Sequence, residues 1–148
     1  MTYQAEYDRS INEREAFWKE KAEQLDWYEQ SETVLSQDDH GIHHWFADWQ
    51  MNTCYMALDA HIDNDRGDQT ALIYDSPVTN QKRQYTYKAL RDEVAKTAGS
   101  LQQLNVQKGD RVIIYMPMIP EAAIAMLACA RIGAIPVSYT HLTLPTIA

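Results

Sequence analysis

The chain has 148 residues, of which 45% are hydrophobic and 23% charged, with a formal net charge of −8. That balance suits one globular domain or a piece of a larger one, and it excludes a disordered polymer. No basic stripe is present, which argues against nucleic acid and against an anionic membrane as partners.

The opening "MTYQAEYDRS" lacks a basic region followed by an apolar run, so no signal peptide is expected. In "SINEREAFWKEKAEQL", Ser10 and Glu13 have the spacing of a capping box, which predicts a helix start at Ser10. Trp18, Ala22 and Leu25 then form an apolar stripe. Residues 28–44 are polar and aperiodic and read as a surface loop. Trp45 and Trp49 share a face if helical, and Cys54, Leu58 and Ile62 predict a helix from about Thr53 to Ile62. "DNDRGDQ" ends it with turn chemistry.

"TALIYD" reads as a strand and "QYTY" as its partner, with Pro77 and Asn80 punctuating the turn between them. A helix from Thr86 or Tyr87 to about Leu104 buries Leu90, Val94, Ala98 and Leu101. "RVIIYMP" is a continuous apolar run, the pattern of a strand covered on both faces. Pro120 and Glu121 open the next helix, and Gly133 closes it. Strand, helix and the start of another strand make a βαβ unit, hence an α/β domain. The helix "EAAIAMLACARI" is apolar nearly all round and needs more cover than this chain supplies. The expectation is therefore an incomplete sheet. The longest apolar stretch, around residues 122–130, is too short for a membrane span. Cys54 and Cys129 lie in apolar helical patterns and read as reduced core residues of a cytoplasmic protein.

The terminal "VSYTHLTLPT" admits two readings. Its β-branched residues suit a strand. Back-translated in one frame, it also resembles a transposase-based sequencing adapter. The second reading makes residues 136–148 a non-native tail, with Pro136 a hybrid codon.

Few constellations point to chemistry. His40, His43 and His44 cluster, but Asp38 and Asp39 beside them lie in a loop, and a solvated loop is the default reading. Trp45 and Trp49 could stack on a ring, although packing is the commoner use. "KGDR" has one glycine and is a turn into a strand, not a phosphate cradle. Asp110 and Arg111 there can pair or cap locally. Glu121 stands at a strand's carboxyl end, where α/β sheets bind ligands, but its helix-start role explains it. No nucleophile, base and oxyanion donor assemble, so no catalytic, cofactor-binding or metal residue is assigned.

"KGDRVIIYMPMIPEAAIAMLACARIGAI" closely resembles the AMP-forming short-chain acyl-CoA synthetases, the acetate– and propionate–CoA ligases. "SINEREAFW", "LDW", "NTCYMALDAHI", "TALIYD" and "YTYKALRDEV" occur in that family's order, so the resemblance covers nearly all of residues 7–135. It implies an N-terminal helical extension over residues 1–65, and the first βαβ part of an adenylate-forming domain over residues 66–135. It also implies a parent enzyme that activates a small carboxylate with ATP and Mg²⁺ and passes the acyl group to coenzyme A. The family's phosphate loop, acyl pocket and adenylation lysine lie further along such chains. This segment is then scaffold, expected to be inactive, to bind no cofactor itself, and to have the remainder of the same polypeptide as its partner. The alternatives are another adenylate-forming branch, against which the N-terminal helix and "LDW" argue, and a non-catalytic interaction module.

Overall fold

The computed structural model describes residues 2–138, in two compact units, Met1–Met51 and Asn52–Ala148. In the first unit, α1 (Tyr3–Asn12) is capped by Thr2, whose hydroxyl accepts from the Ala5 amide. The helix begins seven residues before the predicted start. Ser10 lies inside it and donates to the Tyr7 carbonyl, so no capping box forms. The backbone breaks at Glu13 (φ −119°, ψ 44°) and resumes as α2 (Arg14–Ala22). The buried residues of α2 are Phe17 and Ala22, whereas Trp18 and Leu25 are exposed. Of the predicted stripe Ala22 is therefore buried as expected, and Phe17 takes the inward place expected of Trp18.

Residues 28–44 are not all loop. β1 (Leu35–Gln37) pairs antiparallel with β2 (His43–Trp45), Leu35 opposite Trp45. Asp38 shapes the connection by accepting from the His40 and Ile42 amides at 2.9 Å each. Trp45 and Trp49 do not share a helix: Trp45 is in β2, and Phe46 follows with a left-handed φ of 52°. Trp49 is buried edge-on against Trp27 and Phe46, each at 5.0 Å between ring centroids. Both indole donors are satisfied, Trp27 to the Ala22 carbonyl at 2.7 Å and Trp49 to the Thr33 carbonyl at 3.2 Å.

The second unit is mixed α/β. A helical stretch starting at Thr53 widens into a π-helical turn, Tyr55–Asp59, and ends as α3 (Ala60–Asp63). β3 (Thr70–Ser76) pairs antiparallel with β4 (Gln81–Thr86), as the sequence predicts, and Asn80 takes φ 51° in the turn between them. α4 (Tyr87–Gln103) is capped by Thr86, which accepts from the Ala89 amide at 3.2 Å, and it buries Leu90, Val94 and Ala98. β5 (Arg111–Ile114), α5 (Pro120–Ile132) and β6 (Ile135–Ser138) complete the βαβ unit, with β5 and β6 parallel and Arg111 opposite Ile135. One core joins Cys54, Leu58, Leu90, Val94, Ala98, Ile124 and Ala128. Burying a side chain such as Leu58 or Val94 is worth about 1.5–3 kcal/mol.

The expectation that β5 is covered on both faces does not hold for the described residues. Ile114 is buried, but Ile113 is 69% exposed. The side chains alternate across the sheet, and the described elements cover only one of its faces. Pro136, Val137 and Ser138, expected in a non-native tail, form part of β6, while Tyr139–Ala148 lie outside the described residues.

Gly133 ends α5 with φ 75°, and a Cβ there would stand 2.9 Å from Lys108 Cγ. Gly99, inside α4, has open space around it. Gly133→Ala is expected to lower stability by about 1–2 kcal/mol, and Gly99→Ala to raise it by about 0.5–1 kcal/mol. Urea midpoints followed by helical circular dichroism check both; the same sign for the two would contradict the assignment.

Candidate functional site

The end of β5, the loop into α5 and the end of β6 meet at one place. The loop, the start of α5 and the end of β6, together with β3, line an apolar cleft of about 220 Å³. Leu72 and Tyr74 come from β3, Met116 and Met118 from the loop, Met126 from α5 and Ser138 from β6. Only Tyr74 and Ser138 among all the lining side chains carry a polar group. Pro117 and Pro120 fix φ on either side of Met118, which is held 81% exposed. The carboxyl ends of parallel strands are where α/β sheets receive ligands.

Glu121 stands on the first turn of α5, as the sequence predicts, where a carboxylate favours the positive end of the helix dipole. It also accepts from Arg83 Nη1 at 3.0 Å, and the Arg83 guanidinium lies 5.8 Å above the Tyr74 ring. Hydrogen bonds to Tyr85 and Glu121 hold the Arg83 pKa above its ordinary value. Arg83 thus ties the β3–β4 hairpin to the start of α5, and its charge is already matched. No pattern flags this pair, because the partners are 38 residues apart.

At the other end of α5 a second polar cluster holds the unit together. Arg131 donates to both carboxylate oxygens of Asp59, at 2.8 and 3.0 Å. It also reaches Cys54 Sγ at 3.6 Å. The Asp59 hydrogen bonds raise the Arg131 pKa, and burial pushes the Cys54 thiol up. Asn52 caps two helices at once: its Oδ1 accepts from the Tyr55 amide, and its Nδ2 donates to the Ala130 and Arg131 carbonyls. The sequence reading passes over Asn52, although an asparagine just before a helical pattern is a cap signal.

The remaining candidates are structural. Hydrogen bonds from His44 Nε2 and the Ile42 amide hold the Asp38 carboxyl below the usual aspartate range. The described residues contain no group of three His, Cys, Asp or Glu that could hold a metal ion. In "KGDR", Gly109 takes φ 90° and donates to the Gly133 carbonyl, and Asp110 accepts from the Gln107 amide at 2.8 Å. That is the local cap and strand-leading turn the sequence suggests. No helix among the described residues is long and apolar enough to cross a membrane. The cleft by itself does not fit a triphosphate or a metal: its walls are apolar, and the cation at its rim is paired.

Comparison with known proteins decides the family. Residues 3–57 match the acetyl-coenzyme A synthetase N-terminus, and residues 58–146 match the AMP-binding enzymes. The chain belongs to the AMP-binding enzyme family. Among AMP-binding enzymes it groups with the AMP-forming short-chain acyl-CoA synthetases. An uncharacterized protein of Pseudomonas aeruginosa is 57% identical over 135 residues, which are 91% of this chain and 22% of that protein. The mitochondrial acyl-CoA synthetase short-chain family member 3 of Bos taurus is 49% identical over 133 residues, 90% of this chain and 19% of that one. The solved acetoacetyl-CoA synthetase from Streptomyces lividans superposes with a TM-score of 0.83 at 33% identity, over 94% of this chain and 21% of that structure. The chain therefore spans about a fifth of the length of the curated relatives it matches.

Removing one partner of the Asp59–Arg131 pair leaves a charge in a half-buried place. Asp59→Asn is expected to cost about 1–2 kcal/mol. Combining it with Arg131→Met should recover part of that loss, with a coupling of about 1 kcal/mol in a double-mutant cycle of urea midpoints. Simple additivity would show that the pair contributes nothing.

Proposed function

We propose that this chain is the N-terminal part of a ligase that activates acetate or propionate. The carboxylate attacks ATP to give an acyl-adenylate and pyrophosphate. Coenzyme A then displaces AMP to give the thioester. The observation that carries this reading is the succession of the two family matches, synthetase N-terminus and then AMP-binding enzyme, along one chain. ATP, Mg²⁺ and coenzyme A are the parent's cofactors. The names of the relatives favour a short acyl chain over the longer-chain branches.

Residues 1–65 are read as the extension and residues 66–135 as the start of the adenylate-forming domain, with the remainder of the polypeptide as its partner. No residue here is given a catalytic, cofactor-binding or metal role. The reason is physical: phosphoryl chemistry needs cations and donors aimed at developing charge. Lys108 and Arg111 alone cannot position a triphosphate, a carboxylate and a metal together. The two buried cysteines are unpaired in a disulfide sense, which suits a cytoplasmic protein. We read residues 136–148 as translated adapter, so the natural sequence differs from this one after Ile135.

Two measurements test this. Genomic DNA amplified across codon 136 is expected to encode a longer chain without "VSYTHLTLPT"; that stretch followed by a stop codon in an adapter-free clone would refute the tail reading. The longer chain is expected to catalyse ATP–pyrophosphate exchange that depends on acetate or propionate, and the 148-residue chain none. Exchange by the short chain would overturn the scaffold role. A long chain active only on long-chain acids would overturn the substrate class.

A further inference from the structure

We draw no further inference here: the strongest candidate, the open cleft of about 310 Å³ lined by Trp18, Trp45 and Phe46 in the first unit, carries no proposal, because nothing in the structure shows what covers it.

Discussion

The second unit depends on one long-range clamp. Asn52 caps, and Asp59 lies on, the first helical segment of that unit, while Ala130 and Arg131 lie at the end of α5. The chain between them contains the β3–β4 hairpin, α4 and β5. The bidentate ion pair and the double cap seat the helical segment at 53–63 against the last turn of α5. Cys54 and Leu58 are then held in the same core as Val94 and Ala128. The hydrophobic core supplies the larger free energy, but it is tolerant of sliding. Hydrogen bonds with fixed geometry set the register. The π-helical turn at Tyr55–Asp59 follows the capping Asn52 and ends at the paired Asp59. It lets one short segment face the core with Leu58 and meet Arg131 with the next residue.

The two faces of the βαβ unit are unequal. α5 buries Ile124, Ala128 and Cys129, and the sheet's other side leaves Ile113 in water. Met118 and Met126 are further exposed apolar residues, and they line the cleft. Apart from Tyr74 and Ser138, the cleft is lined by apolar side chains. This separates the cleft from a ready-made active site: it has the right place in an α/β fold but lacks the polar groups that chemistry would need.

Local signals were legible and distant ones were not. Thr86 before an apolar stripe, Pro120 and Glu121 at a helix start and Gly133 at a helix end each act within one turn, so the sequence shows them directly. The β3–β4 hairpin is legible for the same reason. The Glu13 break is illegible because no proline or glycine marks it, and the adjacent rings Phe17 and Trp18 are both compatible with a stripe through Ala22, which periodicity does not separate. The hairpin of β1 and β2 is only three residues a side and carries two histidines in a row before Trp45, so its alternation is too short to detect. The pairings Arg83–Glu121 and Asp59–Arg131 span 38 and 72 residues, a separation at which pattern reading has no purchase. For function, motif order identified the family, and the residues alone gave a scaffold.

The separation between Asp59 and Arg131 also has a consequence during synthesis. The helical segment at 53–63 leaves the ribosome long before its partners at 130 and 131 exist. At about 5–20 residues per second, that interval lasts several seconds. Throughout it Leu58 and Cys54 have no α5 to pack on, and Asn52 has no helix end to cap. The β3–β4 hairpin and α4 can form from neighbouring sequence meanwhile, because their contacts close short loops. The nascent chain therefore passes through a stage in which the hairpin and α4 can be complete while Cys54 and Leu58 still lack their α5 partners Ile124 and Ala128.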